Sequence, residues 1–491
     1  MPKPITMLVL LALAGPAISG SEDGFRPIFN GSDLTGWDGD PRFWSVEDGA
    51  ITGRTTEDNP TEHNTFIIWR QGDVDDFVLR FSYRIVSGNS GVQYRSKEVD
   101  PWVISGYQGD FEAGDRYSGI NYHEKGRGII ADRGQKTRIG PEGKVEVTET
   151  FGESDELQKV IKKEDWNDYE IVAQGNRLVH KIDGRLMSEV VDDHPEGRSF
   201  SGLLAFQLHA GPPMKVQVKD VRLKRLPLEG KKKIVLVAGK PSHRPGEHEF
   251  PAGVHAIQNS LDQVPDVIAA DYYEGWPSDP TAFDNADSVL FYMDGGSGHP
   301  AIFGDRLKQL EEVTGRGVGM VCVHYAVEVP KDDGGSQFKK WIGGYYETHY
   351  SINPHWTADV SVNKDHPIAN GVEDFTILDE WYYNMRFRPD MEAVTPILTG
   401  VPPDETRRTD AAKEHPGRRE ILAWASERED GGRGFGFTGG HFHNCWGDEN
   451  FRKVVLNALL WTARMEVPEG GVETTLTDDE LNGMLRERMK G

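Results

Sequence analysis

The sequence predicts two domains of different class, an antiparallel β-sandwich or jelly roll followed by a doubly wound α/β domain with a parallel sheet. Three observations predict this. Up to about residue 226, short β-rich runs recur between Gly, Asp and Asn turns without long helical periodicity. From Ile234 onward, continuous apolar runs alternate with helical patterns. Between them, Leu226-Pro-Leu-Glu-Gly-Lys-Lys-Lys233 breaks both patterns with Pro, Gly and charge, as a linker does. With 491 residues, 37% hydrophobic and 27% charged, the chain can bury ample core, which excludes disorder, collagen and coiled coil.

Taken in order, the chain opens with Met-Pro-Lys, the apolar run Met7 to Ala14, and the small residues of Ala17-Ile18-Ser19. Charge, apolar stretch and small residues in that order read as a signal peptide over residues 1–20, with the mature chain expected to begin near Gly20 in a periplasmic or secreted setting. The run is too short to span a bilayer, and no later segment approaches about 20 apolar residues, so no membrane span is expected. The first domain is expected over residues 23–227, with strands at Phe77–Arg84, Gly91–Arg95, Asp168–Ala173, Arg177–Ile182 and Lys215–Lys219. The second is expected over residues 232–465. Ile234–Ala238, Ser288–Tyr292 and Gly319–Val323 read as strands buried on both faces. Phe303, Leu307, Leu310 and Val313 share one helical face, and Phe451–Ala463 reads as a further helix. Residues 466–491 form a tail with one short helix, opened by the capping box Thr477-Asp-Asp-Glu480.

Composition narrows the function classes. Against 55 Lys and Arg stand 79 Asp and Glu, a net charge of −24, and such a surface repels phosphate backbones, which argues against nucleic acid as a partner. Two cysteines, Cys322 and Cys445, exclude a disulfide-built scaffold and a four-cysteine zinc site, while their own pairing stays open. No Gly-x-Gly-x-x-Gly follows the Ile234 strand, so no nicotinamide cofactor is expected.

In the first block, strand alternation sorts the polar side chains. Asn89, Gln93 and Arg95 share one face, Gln108, Asp110 and Glu112 another, and Gln207 with His209 a third, opposite Phe206 and Leu208. Amides, acids, Arg and His without the Lys and Ser of a plain wet surface suit sugar hydroxyls, which need donors and acceptors fixed in place. The opening Phe29-Asn-Gly-Ser-Asp-Leu-Thr-Gly-Trp37, Asn89-Ser-Gly-Val-Gln-Tyr-Arg-Ser96, Gly106-Tyr-Gln-Gly-Asp110, Gly126-Arg-Gly-Ile-Ile130 and Gly202-Leu-Leu-Ala-Phe-Gln-Leu-His-Ala-Gly-Pro-Pro213 together resemble the 3-keto-disaccharide hydrolase family over residues 25–226. That resemblance implies a concanavalin-like jelly roll and cleavage of glycosides already oxidised at C3. A ketone at C3 acidifies the hydrogen on C2, so abstraction of that proton can expel the C1 substituent, and water can then add to the enone. Side-chain chemistry offers Asp110, Glu124 or His209 as base and acid, Arg95 or Arg127 for the enolate, and Gln93, Gln108 and Gln207 for the substrate hydroxyls. Asp110 and Glu112, two apart on one strand, keep a conventional carboxylate-pair glycosidase open.

In the second block lie eleven of the sixteen histidines. His243, His248, His299, His324, His441 and His443 follow strand-like runs, where an α/β sheet places ligands. The expectation is a shared pocket in which His243, His324 and His441 line one cleft. A divalent metal is possible there, although no His-Glu-x-x-His spacing requires it. Leu236-Val-Ala-Gly-Lys-Pro-Ser-His243, Gly246-Glu-His-Glu249, Gly319-Met-Val-Cys-Val-His-Tyr-Ala326, His366-Pro-Ile with Asp379-Glu-Trp-Tyr382, and Gly439-Gly-His441 before Phe451–Trp461 resemble the ThuA-like, trehalose-utilisation family over residues 232–465. The resemblance implies a class I glutamine amidotransferase-like, flavodoxin-like doubly wound fold, adds Glu380 to the cleft, and links the domain to disaccharide and keto-sugar breakdown. His324 stands where amidotransferases carry a nucleophilic Cys, and Cys322 reads as a residue of the strand core.

Together these readings describe an exported, two-domain enzyme acting on small carbohydrates of the 3-keto-glycoside class. Two alternatives stay open: a glycan-binding jelly roll joined to a catalytic α/β domain, and a noncatalytic surface protein.

Overall fold

Along Phe77–Ser87 the buried residues alternate, with Phe77, Leu79, Phe81, Tyr83 and Ile85 inward and their neighbours outward. The computed structural model describes residues 24–486, so the expected export segment lies outside the described residues. Phe77–Ser87 pairs with Asn167–Gln174 on one side and Lys215–Arg225 on the other, within a ten-stranded sheet. A seven-stranded sheet packs against it in the order Gly128–Ala131, Asn121–Glu124, Val103–Glu112, Asn89–Asp100, Gly202–Leu208, Thr65–Val74 and Trp37–Asp38. Inward residues of both sheets meet in one aromatic core, where Phe81 stacks on Tyr169 at 5.3 Å and meets the edge of Phe206 at 5.1 Å. This is a jelly-roll sandwich. One pairing departs from the antiparallel expectation: Gln135–Ile139 runs parallel to Arg185–Asp192, which the long intervening connection permits.

In the second domain, Ile234, Leu236 and Ala238 face one layer of core while Val235 and Val237 face the other. Helices Phe250–Leu261 and Glu449–Thr462 cover the first side, and Arg306–Gly315 and Gly335–Ile342 cover the second. Five strands are parallel, in the order Val267–Tyr272, Lys232–Ala238, Ser288–Tyr292, Gly319–Val323 and Arg433–Phe437. The sheet then continues antiparallel through Glu420–Glu427, Val394–Gly400, Trp356–Val362 and Phe375–Asp379. The expected doubly wound parallel sheet is therefore a mixed one. Its reason is local: Glu427 faces Arg433 across the turn Arg428-Glu-Asp-Gly-Gly432, and a connection that short can only return the chain antiparallel. Phe303 is also corrected, since it is 48% exposed ahead of a helix that begins at Arg306, while Leu310 and Val313 are buried as expected.

The tail helix Asp478–Asn482 carries the capping box, with Thr477 and Glu480 bonding each other's backbone N–H. Cys322 and Cys445 are both buried and free. Among the described residues, no helix is long and apolar enough to cross a membrane. Arg225 and Lys233, on either side of the expected linker, are both buried, and both contact Asp75 of the first domain, Arg225 Nη1 at 3.1 Å and Lys233 Nζ at 2.7 Å.

Candidate functional site

In the first domain, the same alternation that sends Tyr107, Phe111 and Phe206 into the core sends Gln108, Asp110 and Gln207 to the outer face of the seven-stranded sheet. There they line a cavity of about 510 Å³ with Asn64, Asn89, Glu112, Tyr117, Tyr122, Glu124 and His209. An amide ladder holds the floor. Gln93 Nε2 donates to Gln108 Oε1 at 2.8 Å, Gln207 Nε2 donates to the same oxygen at 3.1 Å, and Gln108 Nε2 donates to Asp110 Oδ1 at 2.6 Å. Gln207 Oε1 is buried without a protein partner. Burial pushes the Asp110 carboxyl up to about 8; the Gln108 N–H opposes the rise and Glu124 adds to it. Glu124 Oε1 accepts from Asn64 Nδ2 at 3.2 Å, and the exposed His209 stands at the rim.

The two arginines expected to hold the enolate are elsewhere. Arg95 sits at a register shift of its strand with φ of 48°, and its guanidinium turns to Asp76 Oδ1 at 2.5 Å and the Asp75 carbonyl at 2.7 Å. Arg127 pairs with Asp192 Oδ2 at 2.6 Å and donates to His123 Nδ1 at 2.8 Å, outside the cavity lining. Gln93 supports the ladder from beneath rather than lining the cavity. Glu112, which lines the same cavity, accepts the N–H groups of Arg116 and Tyr117 on Oε1 at 2.6 and 2.7 Å.

In the second domain the strand-end loops bring histidines together. His324 ends Gly319–Val323 with φ of 54°, and His243 and His248 adopt φ of 63° and 46°, so all three are non-glycine residues held in the left-handed region. Ring centroids lie 4.9 Å apart for His248 and His324, 4.7 Å for His248 and His441, and 5.8 Å for His243 and His441. Glu380 joins them, with Oε2 at 3.4 Å from His324 Nε2 and 3.2 Å from His441 Nδ1. Burial raises the Glu380 carboxyl, but the adjacent His324 and His441 rings outweigh that and hold it well below the usual carboxylate range. Burial, reinforced by the neighbouring imidazoles and opposed by Asp294, pushes His248 down to about 3. At the same cleft, burial lifts Glu328 to about 7, beside Tyr325 and Tyr346.

His299 and His443 do not join the cluster. His299 is buried against backbone, with Nε2 at 3.1 Å from the Ala326 carbonyl and Nδ1 accepting from the Ala301 N–H at 3.0 Å. His443 Nε2 bonds the Leu481 carbonyl at 2.5 Å, beside the tail helix. Residues that the strand-end rule passes over complete the site: Ser242, Asp294, His355 and Tyr382 all touch the cluster. The Asp294-Gly-Gly stretch at the end of Ser288–Tyr292 was the available signal, since Asp294 rather than His299 reaches the cleft. Cys322 points into the core, where burial pushes its thiol up and away from nucleophilic use.

Residues 24–224 match the model of the 3-keto-alpha-glucoside-1,2-lyase-like domain, and residues 235–462 match that of ThuA, trehalose utilisation. The chain carries one domain of each family. Both descriptions concern carbohydrates, and the function of the chain is carbohydrate-related. A candidate ThuA-like protein from Bacteroides uniformis is 16% identical, with 47% of this chain and 91% of that one covered and a TM-score of 0.36. A candidate glycosyl hydrolase from Parabacteroides distasonis is 22% identical, with 41% of this chain and 94% of that one covered and a TM-score of 0.28. A carbohydrate-binding module from Bacillus subtilis is 15% identical, with 39% and 96% covered and a TM-score of 0.27. No curated protein matches the sequence.

Proposed function

We propose that the lyase-like domain cleaves glycosides oxidised at C3 by removing the C2 proton, expelling the C1 substituent and hydrating the enone. The observation that carries this reading is Asp110, a carboxyl kept neutral near pH 7 inside a polar cavity whose lining includes a second carboxyl group, Glu124. Glu124 takes the C2 hydrogen as a proton, and the released electron pair forms the C1–C2 double bond as the C1–O bond breaks. Asp110 gives its proton to the departing oxygen. In the second half, Asp110 takes a proton from water as the hydroxyl adds to C1, and Glu124 returns its proton to C2, so both groups end as they began. The amide ladder orients Asp110 through the Gln108 amide. With Arg95 and Arg127 engaged elsewhere, the enolate oxygen depends on neutral donors of the cavity, such as the Asn89 amide and the Tyr122 hydroxyl.

Turnover of matched 3-keto and unmodified disaccharides tests the reading, together with a C2-deuterated 3-keto substrate. We expect activity on the keto sugar alone, slowing by deuterium, and a drop in kcat of about 10²–10⁴-fold in Asp110→Asn and in Glu124→Gln. Equal turnover of both sugars, or full activity in both variants, rules the reading out.

A further inference from the structure

From the geometry of the second domain we infer that His248, His324, Glu380 and His441 hold a divalent transition-metal ion. The inference is independent of the sugar chemistry in the first domain. One donor atom from each of the four residues lies within 4.8 Å of every other. Neighbouring donors are 3.0 Å apart for His248 and His324, 3.4 Å for His324 and Glu380, and 3.2 Å for Glu380 and His441. A tetrahedral ion with bonds of about 2.0–2.1 Å places its ligand atoms about 3.3 Å from one another.

The hydrogen bonds behind the rings argue the same point. His324 Nδ1 faces the Thr438 carbonyl at 2.9 Å; a carbonyl only accepts, so Nδ1 carries the proton and Nε2 presents a lone pair. Ser242 Oγ donates to Asp294 Oδ1 at 2.7 Å and so accepts from His248 Nδ1 at 3.0 Å, which leaves a lone pair on His248 Nε2 as well. Those two lone pairs face each other at 3.0 Å, an arrangement that repels unless a proton or a metal ion lies between them. His441 is 3% exposed, yet neither ring nitrogen makes a hydrogen bond, although Nδ1 stands 3.2 Å from Glu380. Misalignment at that distance fits a nitrogen and an oxygen both aimed at a third point. Ser242 with Asp294, and the Thr438 carbonyl, are the partners that metal-bound imidazoles use to fix their tautomer. Three imidazoles and one carboxylate select Zn²⁺, Mn²⁺, Fe²⁺, Co²⁺ or Ni²⁺ over Ca²⁺ or Mg²⁺.

The test uses the full chain, stripped with chelator, reloaded with each of these five ions in turn, washed, and assayed for metal content and melting temperature. We expect about one equivalent of at least one ion per chain, a rise in Tm of several degrees on loading, and visible absorption bands in the Co²⁺ form. Glu380→Gln and His441→Asn should each lower metal affinity by at least about 10-fold. Asp110→Asn, in the other domain, should leave the metal content unchanged, so failure here and failure of the sugar reading are told apart. Less than a tenth of an equivalent of every ion, with no change in Tm, overturns the inference and leaves a proton shared between His248 and His324 as the account of their contact.

Discussion

At the scale of single residues, the buried Asp110 carboxyl makes the stability of the fold depend on pH. The unfolded chain releases this proton near pH 3.8, while the folded protein keeps it to about 8. Between those values the folded state binds more protons than the unfolded one, so the residue lowers stability progressively as pH rises and has no such effect below about pH 4. Asp110→Asn keeps the acceptor for Gln108 Nε2 and cannot ionise. At pH 7 the variant should be more stable by up to roughly 4–5 kcal/mol, at about 1.4 kcal/mol per pH unit of displaced titration. Denaturant unfolding of both proteins at pH 4 and pH 7 measures this. A gain of the same size at both pH values would mean that the carboxyl is not held neutral by the fold.

At the scale of elements, the second site depends on a latch between two loops far apart in sequence. Asp379, at the end of Phe375–Asp379, accepts N–H groups of Gly440 at 2.6 Å, His441 at 3.1 Å, Phe442 at 3.2 Å and Glu380 at 2.8 Å. It thereby fixes the two loops that supply Glu380 and His441. Asp379→Ala strands several buried donors and should cost about 2–4 kcal/mol, with faster hydrogen exchange at Gly440, His441 and Phe442. Unchanged protection at those amides would show that the loops hold without the latch. Such latches explain what the sequence makes legible and what it hides. Periodicity places Ser288–Tyr292 and Gly319–Val323 because a buried strand must be apolar along its length, and strand phase puts Asp110 and Gln207 on one face because alternation is local. Arg95 breaks the phase argument because a register shift and a positive φ turn it away. His299 and His443 obey the strand-end rule, yet they spend their ring nitrogens on the backbone carbonyls of Ala326 and Leu481, a long-range choice that no local pattern records. The antiparallel half of the second sheet turns on the short connection between Glu427 and Arg433 rather than on the strands themselves, since hairpin and crossover differ in the connection.

At the scale of the whole molecule, the two domains are joined by a buried network rather than by a loose linker. Arg225 donates to Asp75 Oδ1 at 3.1 Å, Asp279 Oδ2 at 2.9 Å and Thr281 Oγ1 at 2.9 Å, and Lys233 donates to Asp75 Oδ2 at 2.7 Å and Asn285 Oδ1 at 3.0 Å. Asp75 belongs to the first domain and Asp279 to the second, and Arg225 bridges them from the last residue of its strand. Burial pushes the Asp75 carboxyl up, but Lys233 and Arg225 outweigh it and hold it down at about 2. A carboxylate depressed in this way adds stability above its unfolded value near 3.8 and loses it as pH falls through about 2, a contribution of roughly 2 kcal/mol. Removing the bridge has a larger effect, because Arg225→Met takes away the cation that the buried Asp75 and Asp279 share, at a cost of about 3–5 kcal/mol. The native chain should therefore melt as one cooperative unit in calorimetry, and Arg225→Met should split the transition in two and open the segment around Glu229 to protease. A variant that still melts in one step at the native temperature would show that the charge network does not hold the domains together.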